Sequence, residues 1–575
     1  MTTERLALVM IVRNEGLRLS SCLESVKHAV DEIIIVDTGS TDATVSIAKQ
    51  YTQQVYSYKW QDDFSAARNF ALEQTTCEWV LSLDADELLN NAGSIRSLLS
   101  NTSYTAYYLP LHALKSADKE LEYDRFMVLR LFRSHYRFYG SIHEFIKVDT
   151  PSAVGHAQMP VIHHTPVSPL ERHRRRNRNI RLLKHALKKN SADPCLHYYL
   201  GTEWLGLGRI DTSISFFQQA LRQLSPEQEP FRTSSIRHLI TCYKHTGRLD
   251  EGLCLCMEES QHYPDYCDLF FDGGVLFELK EEYEIALKWF QEALKLAEPP
   301  FSYFHTDGTN SYLAYYHLGF CSEKLGLVKE ALHYYEQAVT INKAYYFPLY
   351  QLVLLKLTQQ PAADVLEFLR TSNYLACKEV TVSMAELFWT AGFPDIALSC
   401  LEKITCDNPS SMELLARCQF YTGKAEHALQ SLAHLRHSHR EPAADIAVDE
   451  IAALLLLGRF TEARQQVWSL WHNKSSRASF WAAFGLYKKL AHNHLITFPD
   501  TRSAAALLAL AERCTYNRAP YKEQRSFTLI KAAISELLHT KADYWELLIN
   551  SLTKKETALR QHVAYTFAAC RDLFQ

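Results

Sequence analysis

Apolar runs and helically spaced stretches alternate along the first 165 residues. Continuous apolar runs, which are typical of strands buried on both faces, span residues 6–12, 32–36 and 79–83, with a shorter run at 55–58. Between them, apolar residues fall on one helical face over 17–30, 43–50 and 65–74. Strands and helices that alternate in this way predict an α/β domain with a parallel sheet, whose ligands bind at the carboxyl ends of the strands.

From residue 194 onward the pattern changes to pairs of helices with an internal repeat of the tetratricopeptide (TPR) type. Seven turn positions align, and a small residue follows each of them five positions later. The turn positions are Gly208, Gly247, Glu281, Gly326, Gly392, Gly423 and Gly458, and the small residues are Ser213, Gly252, Ala286, Ala331, Ala397, Ala428 and Ala463. The 45-residue interval after Glu281 predicts an insertion that contains residues 299–305. One helix pair cannot bury its apolar face alone, so the repeats are expected to stack as a solenoid.

These patterns divide the 575-residue chain into four regions. We expect an α/β domain over residues 1–165, a basic linker helix over 166–193, a TPR solenoid over 194–470 and a further helical region over 471–575. Glycine (19 residues) and proline (18 residues) are scarce, which favours a protein that is mostly α-helical overall.

Charge and cysteine content argue against several classes of protein. Lys and Arg number 61 against 65 Asp and Glu, and this net charge of −4 argues against a nucleic-acid-binding protein. No apolar run is long enough to predict a transmembrane helix, and the N-terminal residues lack the features of a signal peptide. The 14 cysteines include no CxxC pair, which favours free thiols in a reducing compartment. We therefore expect a cytoplasmic protein.

Acidic turns follow two of the predicted strands. Asp37-Thr-Gly-Ser-Thr-Asp42 follows the second strand, and Asp84-Ala-Asp86 follows the last of the apolar runs. Carboxylates held at strand ends suit a divalent cation that bridges a diphosphate, because Mg²⁺ and Mn²⁺ prefer oxygen ligands. Asp42 is also placed as the N-cap of the helix that follows it. For residues 84–87 the alternative is a local role, as the N-cap and solvated turn of a further helix. In a parallel sheet both turns would converge on one crevice.

Four motifs occur in order along residues 6–165: Val12-Arg-Asn14-Glu15, Val36-Asp37-Thr-Gly-Ser40-Thr-Asp42, Ala67-Arg68-Asn69 and Asp84-Ala-Asp86. Together they resemble the family 2 glycosyltransferases of GT-A fold. Members of that family transfer a sugar from a nucleotide sugar, usually with inversion and with Mg²⁺ or Mn²⁺. The resemblance therefore implies an enzyme that uses a UDP-sugar donor and a divalent metal.

The resemblance also implies a donor-binding set: Val12, Asn14, Glu15, Asp37, Ser40, Arg68 and Asp84. Of these, Glu15, Asp37 and Arg68 would surround the uridine, and Asp84 would lie near the ribose and the diphosphate. Asp86 would be the carboxylate that binds the metal. Carboxylates suit the uracil N–H and the ribose hydroxyls, whereas the phosphates need a metal or cationic side chains.

The chain departs from many polysaccharide-forming members of the family, because it has no QxxRW segment. Instead it carries Arg130-Leu-Phe-Arg133, Tyr139-Gly-Ser-Ile-His143-Glu144 and Ile162-His163-His164. This set looks like a subgroup that includes lipopolysaccharide-core glucosyltransferases and the S-glycosyltransferases of bacteriocin peptides, the latter with TPR-like helices. The resemblance then implies that Glu144 is the catalytic base and that His143 or His163 is a third metal ligand.

Other residues stay open for related roles. Asp62 and Asp63 are alternatives to Glu144, although positioning of the sugar nucleotide suits them better. The basic run Arg172–Arg178, with Arg181 beyond it, is either a solvated linker helix or a source of arginines that close over the diphosphate.

We expect an enzyme that glycosylates a protein or peptide held by the TPR solenoid. A cell-envelope saccharide is the alternative acceptor, and a TPR scaffold with an inactive GT-A domain is the alternative from another class. The intact Asp84–Asp86 pair, Arg68 and His143-Glu144 argue against a decayed site. The repeats also offer surface for oligomerisation.

Overall fold

The structure is a computed structural model. It describes residues 4–100, 102–114, 123–148, 150–164, 168–191, 193–226, 228–300, 302–437, 443–472, 476–499, 501–516 and 527–538. The predicted boundary between residues 165 and 166 lies outside these ranges, as does the end of the predicted C-terminal region.

An N-terminal α/β domain is built on a sheet of nine strands, with a separate two-stranded sheet of β8 and β9. The strands are β1 (Leu6–Val12), β2 (Glu32–Asp37), β3 (Val55–Ser57), β4 (Trp79–Ser82), β5 (Glu87–Asn90), β6 (Ala106–Leu114), β7 (Tyr123–Arg133), β8 (Phe138–Tyr139), β9 (Phe145–Ile146), β10 (Val154–His156) and β11 (Val161–His164). The main sheet has the order β3-β2-β1-β4-β7-β6-β11-β5, and β10 pairs with β6.

The sheet is parallel in its first half and mixed in its second. Strands β1 to β4 pair in parallel, as the sequence predicts, and the register places Val12 opposite Asp37 at their carboxyl ends. Beyond β4, however, β7 pairs with β4 and with β6 in the antiparallel direction, and β5 runs antiparallel to β11. The sequence patterns predicted strands only as far as residue 83, so the antiparallel pairing of the later strands was not predicted. An antiparallel partner needs no crossover helix, which explains why β7 can enter the sheet directly after β6.

Short helices cover the sheet: α1 (Leu19–Val26), α2 (Thr44–Tyr51), α3 (Phe64–Leu72) and α4 (Ile95–Leu99). Two local predictions differ from the structure. The N-cap position of α2 is Ala43 rather than Asp42, although the Asp42 carboxylate still accepts a hydrogen bond from the Thr44 N–H at 3.0 Å. No helix directly follows the Asp84–Asp86 turn, because residues 87–90 form β5, which pairs with β11.

Helix α5 (Pro169–Lys189) leaves the α/β domain and leads into antiparallel helix pairs. The pairs are α6 (Pro194–Gly206) with α7 (Ile210–Gln223), α8 (Glu229–Thr246) with α9 (Leu249–His262), α10 (Cys267–Leu279) with α11 (Tyr283–Lys295), α12 (Tyr312–Lys324) with α13 (Val328–Ile341), α14 (Phe347–Gln359) with α15 (Ala362–Thr371), α16 (Lys378–Thr390) with α17 (Pro394–Leu401), α18 (Pro409–Tyr421) with α19 (Ala425–His437), and α20 (Ala444–Leu456) with α21 (Phe460–Trp471). Three more described helices follow: α22 (Arg477–His492), α23 (Thr501–Tyr516) and α24 (Phe527–Leu538). The α/β domain followed by TPR-like helices confirms the predicted fold class.

The turn inside each aligned pair has the left-handed backbone that the glycine pattern suggests. All seven aligned positions have φ between 61° and 85°, including the one that is not glycine, Glu281 at 61°. The small residue five positions later is buried in every pair, because it lies where the second helix packs on the first. Helices α11 and α12 are joined by residues 296–311, which confirms the predicted insertion.

The chain forms two compact units, which are described separately. Unit 1 contains Met1–His262 with Pro300–Phe304, and unit 2 contains Tyr263–Pro299 with His305–Gln575. In unit 1, an apolar cluster joins Ile142, helix α5 and Leu200 of α6. None of the helices in the described part of the chain is long and apolar enough to span a membrane.

Candidate active site

The loops after β1 and β2 are joined by hydrogen bonds at the carboxyl edge of the sheet. The Asn14 N–H donates to Ser40 Oγ at 2.9 Å, and Asn14 Oδ1 accepts from the Thr41 N–H at 2.8 Å. The Val12 carbonyl accepts from the Thr38 N–H at 3.0 Å. These bonds bring the predicted residues of the two loops together and leave little freedom in either loop.

Asp37 holds the turn that follows β2. Its carboxylate, 8% exposed, accepts hydrogen bonds from the backbone N–H groups of Gly39 (3.1 Å) and Ser40 (3.1 Å). Gly39 has a φ of 107°, a conformation that residues with a Cβ rarely adopt. The turn is therefore fixed by its own carboxylate, close to the carboxyl end of β1.

Two arginines hold Asp84, the first carboxylate of the DxD turn. Arg68 of α3 donates to Asp84 Oδ1 at 2.7 Å, and Arg130 of β7 donates to Asp84 Oδ2 at 2.8 Å. Arg130 also donates to Glu87 Oε1 at 2.6 Å, and Glu87 accepts the Asp84 N–H at 2.9 Å. The turn thus rests on a network of two cations and two anions in which Arg68 and Glu87 are buried, and removal of one partner would leave a buried charge unpaired.

Arg68 also connects the DxD turn to the predicted base. Its guanidinium is buried, and its Nε donates to Glu144 Oε1 at 2.6 Å while its other nitrogens reach Asp84 and Ser82 Oγ. Glu144 follows Tyr139 and Gly140 in a loop far along the chain, so the contact spans 76 residues. One side chain therefore brings the predicted donor-binding acid and the predicted base to the same place.

Asp86, the second carboxylate of the turn, meets helix α5. Its Oδ2 accepts a hydrogen bond from Arg175 at 2.8 Å, and the same guanidinium lies 3.5 Å from Glu15 Oε1 and 2.7 Å from Glu171 Oε1. Arg18 completes the group with bonds to Glu171 at 3.0 and 3.2 Å. The basic run on α5 thus contributes an arginine to the acidic crevice rather than being wholly solvated.

Burial and charge shift the pKa values of these carboxyl groups in different directions. Burial raises the pKa of Glu15, against the opposing charge of Arg175. Burial also acts to raise the pKa of Asp84, but the guanidiniums of Arg68 and Arg130 outweigh it and hold that pKa well below its usual range. Burial raises the pKa of Glu87. Asp84 is therefore the carboxylate that stays ionised even in acid.

The two predicted histidine ligands lie in different surroundings. His143 has a φ of 52°, stacks on Tyr199 of α6 with ring centroids 4.0 Å apart, and places Nε2 3.7 Å from Glu203 Oε1. His163 lies on β11, opposite Leu88 of β5, and its ring centroid is 5.5 Å from that of His112. The structure thus sets His143 against the first repeat helix and His163 on the sheet. The side chain of His164 is outside the described part of the structure.

The two alternative acids have structural partners. Asp63 caps α3 by accepting the Ala66 N–H at 2.9 Å. Asp62 accepts hydrogen bonds from Trp60 Nε1 at 2.8 Å and from Arg181 at 2.8 and 2.9 Å. Of the three candidate bases, Glu144 is therefore the one bound to Arg68, which also binds Asp84.

Oxygen ligands at this edge of the sheet fit a divalent metal. Asp84 and Asp86 follow a rigid buried strand, and Asp86 Oδ2 already carries a cationic partner in Arg175. A carboxylate oxygen that accepts a guanidinium also suits Mg²⁺ or Mn²⁺. Among the residues that the structure describes, however, neither His143 nor His163 belongs to a group of three potential ligands within 4.8 Å of one another.

Sequence reasoning missed the partners of these acids. Neither Glu87 nor the role of Arg130 was predicted, and Arg175 was predicted only as one member of a basic run. No spacing signal could have found Arg175, since 89 residues separate it from Asp86. A buried carboxylate such as Glu87 does need a cation, so Arg130 of the Arg130–Arg133 motif was the available clue, whereas Arg133 binds Glu4.

The site also reaches the first repeat helix through α5. Arg176, the neighbour of Arg175, donates to Glu203 Oε2 at 3.0 Å and to the Thr202 carbonyl at 3.3 Å. It crosses α6 at Gly206, where a Cβ would lie 1.9 Å from the guanidinium carbon. The absence of a side chain at Gly206 is what allows this close approach.

Comparison with known proteins gives a match in the α/β domain and a match in the helical repeats. Residues 7–125 match the family described as glycosyl transferase family 2, and residues 312–345 match the tetratricopeptide repeat. The chain is 31% identical over 264 residues to a TPR repeat-containing protein of Synechococcus elongatus, an alignment that covers 43% of this chain and 64% of that protein. It is 28% identical over 286 residues to the SPbeta prophage-derived glycosyltransferase SunS of Bacillus subtilis, covering 46% of this chain and 65% of SunS.

These alignments span slightly less than two thirds of the relatives' lengths. Among solved structures, MamA protein is similar at 17% sequence identity, over 30% of this chain and 86% of that one. The TM-score of 0.25 is too low to carry an argument.

Proposed function

We propose that this chain, in which a family 2 glycosyltransferase domain precedes tetratricopeptide repeats, transfers a sugar from a UDP-sugar to a protein or peptide acceptor. The observation that carries the proposal is the guanidinium of Arg68, which donates to Asp84 at 2.7 Å and to Glu144 at 2.6 Å. A donor held at Asp84 would have its sugar close to Glu144, which is where an inverting transfer needs a base.

Different residues would bind the nucleotide, the metal and the diphosphate of the donor. Glu15, Asp37 and the loops after β1 and β2 would bind the uridine and the ribose, because carboxylates accept hydrogen bonds from N–H and O–H groups. Asp84 and Asp86 would hold a divalent metal, and when bound the metal would supply positive charge to the departing diphosphate. Arg175 would add a second cation on the side of α5.

Glu144 would act on the acceptor. It would take the proton from the acceptor's hydroxyl or thiol as that oxygen or sulfur forms a bond to the anomeric carbon. The bond between that carbon and the diphosphate oxygen would break on the opposite face, which inverts the configuration. Arg68 would orient the Glu144 carboxylate for this step, since it fixes Oε1 at 2.6 Å.

The repeats favour a polypeptide acceptor. Stacked TPR helices offer an extended surface on which a peptide can lie, and the described chain carries eight helix pairs. Both the glycosyltransferase SunS and a TPR repeat-containing protein align with this chain. All cysteines in the described part of the chain are free thiols, which agrees with a proposed cytoplasmic location.

Intact-mass measurement tests the proposal. The full chain is incubated with Mn²⁺, a panel of UDP-sugars and a mixture of peptide acceptors, and one hexose or N-acetylhexosamine increment on a peptide is expected. Asp86→Asn and Glu144→Gln should each lower transfer by about 10²-fold or more, the usual contribution of a general base or a metal ligand. Glu73→Gln, an exposed carboxyl at the end of α3, is the matched control.

Four results would count against parts of the proposal. Full transfer in the presence of a chelator would remove the metal. Full transfer by Glu144→Gln would remove the base. Transfer to a cell-envelope saccharide but to no peptide would favour the alternative acceptor, and no transfer at all by a protein that binds peptides would favour a scaffold.

A further inference from the structure

A cluster of three side chains in unit 2 lies outside the glycosyltransferase domain. Cys267 and Asp268 are the first two residues of α10, and His305 lies in the 296–311 connection between α11 and α12. In the described residues this is the one group of three His, Cys, Asp or Glu side chains whose ligand atoms all lie within 4.8 Å of one another.

The distances within the cluster are those of groups that face a common point. His305 Nδ1 lies 2.6 Å from Asp268 Oδ2, Cys267 Sγ lies 3.6 Å from the same oxygen, and Sγ and Nδ1 are 4.0 Å apart. A tetrahedral zinc, with bonds of about 2.0–2.3 Å, keeps its ligand atoms about 3.3–3.8 Å apart. Two of the three separations are close to that range, and the third is a hydrogen bond whose proton a metal would replace.

The surroundings hold the ligands in place, and two of the three ligands are fully buried. Cys267 and Asp268 are each 0% exposed, and the His305 side chain is 18% exposed. The second carboxylate oxygen of Asp268 accepts the Thr306 N–H at 2.9 Å, which orients Oδ2 toward the other two groups. Thr309 Oγ1 lies 3.6 Å from Cys267 Sγ. In protein metal sites, a ligating carboxylate is commonly held in position by a hydrogen bond to its other oxygen.

The chemistry of the set selects the kind of metal. A thiolate, an imidazole and a carboxylate suit Zn²⁺, whereas Mg²⁺ prefers oxygen ligands alone. The N-terminal turn of α10 carries the positive end of the helix dipole, which stabilises the thiolate and the carboxylate. Three protein ligands leave one tetrahedral position for a further oxygen.

We propose that Cys267, Asp268 and His305 form a zinc site that ties the inserted connection between α11 and α12 to the start of α10. Binding of one Zn²⁺ would release the thiol proton of Cys267 and the proton shared by His305 and Asp268. The site is separate from the donor site, and the proposal does not depend on glycosyl transfer.

Co²⁺ reports on such a site in the full chain. The protein is freed of metal with a chelator and then titrated with Co²⁺ alone, and a sulfur-to-cobalt charge-transfer band is expected to saturate at one ion per chain. Cys267→Ser and His305→Gln should each lose the band. Zn²⁺ should displace Co²⁺ and raise the thermal midpoint, because a ligand that binds only the folded state stabilises it.

Two controls separate this site from others in the chain. Cys321 also has a carboxylate and an imidazole nearby, with Sγ 3.8 Å from Glu278 Oε2 and His317 Nδ1 2.7 Å from the same oxygen. The three ligand atoms of that trio, all in described residues, do not all lie within 4.8 Å of one another, so Cys321→Ser should keep the band. Asp86→Asn should also keep it, since metal on carboxylates alone gives no thiolate absorption.

Two results would overturn the zinc site. Absence of a thiolate band in the unsubstituted chain would overturn the proposal and leave Asp268 and His305 as an ion pair only. A band that survives Cys267→Ser would place the cobalt elsewhere and overturn it as well. His305→Gln provides the same test at a partly exposed residue in case Cys267→Ser unfolds the protein.

Discussion

At Asp86, a guanidinium and a divalent metal would bind the same carboxylate. Arg175 donates to Asp86 Oδ2 at 2.8 Å, so a metal that binds there would have to displace it or share the oxygen. We expect Arg175→Gln to tighten the binding of Mn²⁺ to the nucleotide-free protein by about tenfold, or about 1.4 kcal/mol, because a competing cation is removed. Calorimetric titration with Mn²⁺ measures the change.

The matched control for this substitution is Arg172→Gln. Arg172 is exposed on the same helix, so its loss changes the net charge equally without touching Asp86. Equal affinities for Mn²⁺ in the two variants would show that Arg175 does not compete at Asp86.

A half-buried histidine makes the stability of unit 1 depend on pH. His238 of α8 stacks on Phe217 with ring centroids 5.3 Å apart, and burial, with the nearby Arg237, lowers its pKa from 6.5 to about 4. The folded state therefore favours neutral imidazole. Its contribution to stability is complete above pH 6.5 and is lost as the pH falls toward about 4. Over this interval we expect the loss to reach about 3 kcal/mol.

His238→Phe should remove this part of the pH dependence. Urea unfolding of the substituted and unsubstituted chains at pH 7 and pH 5 gives the comparison. His245→Gln, an exposed histidine near the end of the same helix, is the control that should leave the dependence unchanged. A parallel fall in the stability of all three proteins would assign the acid sensitivity to other groups.

Some residues of the candidate site could be predicted from the sequence and others could not. The patterns predicted that Asn14, Asp37 and Asp84 follow strands and lie at one edge, because carboxyl ends of adjacent parallel strands meet there. Arg68, on a predicted helix, was joined to them only by the family resemblance. They did not predict that Arg175 pairs with Asp86. That contact depends on the path of α5 past the sheet, and no local pattern encodes such a path.

Among the seven aligned repeat turns, one carries backbone strain that the other six avoid. The turns at the aligned glycines have positive φ, which glycine adopts freely, but Glu281 has a φ of 61° with a full side chain. Glu281 is exposed, so little packing would be lost with its side chain. We expect Glu281→Gly to stabilise unit 2 by about 0.5–1 kcal/mol, as measured by denaturant unfolding.

The reverse change at an equivalent turn is the control. Gly326, between α12 and α13, has a φ of 76° and open space around its Cβ position, so Gly326→Ala meets no clash and tests the backbone alone. It should destabilise the protein by a similar amount. Stabilisation by both substitutions would show that the backbone conformation is not the cause.

The elements also differ in how well the sequence predicts them. Repeat turns recur with the same glycine, so an alignment of the chain with itself finds them without any structure. The direction of β7 has no such signal, because an antiparallel strand and a parallel one share the same apolar pattern when both faces are buried. The sequence therefore predicted the parallel pairing of β1 to β4 but not the direction of β7.

For the molecule as a whole, the first repeat helix completes the N-terminal unit. Leu183 of α5 and Leu200 of α6 are both 0% exposed and belong to one apolar cluster with Ile142 and Ile180. A chain that ends at residue 190 would expose this face, and each large apolar side chain returned to water loses about 1.5–3 kcal/mol. We expect it to unfold at a markedly lower temperature than a chain that ends at residue 262.

Scanning calorimetry of the two truncated chains checks this expectation. The longer chain still lacks residues 300–304 of unit 1, so the full-length protein is the upper reference. Equal unfolding temperatures for the two shorter chains would mean that the α/β domain does not need α6.

The adjacent arginines of α5 have a thermodynamic consequence. Successive residues on a helix point about 100° apart, which is why Arg175 reaches Asp86 while Arg176 reaches Glu203 on the first repeat helix. A donor that draws Arg175 away from Asp86 would turn or shift α5 and so alter the grip of Arg176 on α6. Linkage makes such an effect reciprocal: whatever factor a bound donor applies to acceptor affinity, a bound acceptor must apply to donor affinity. The two substrates of the proposed reaction would then be expected to bind cooperatively.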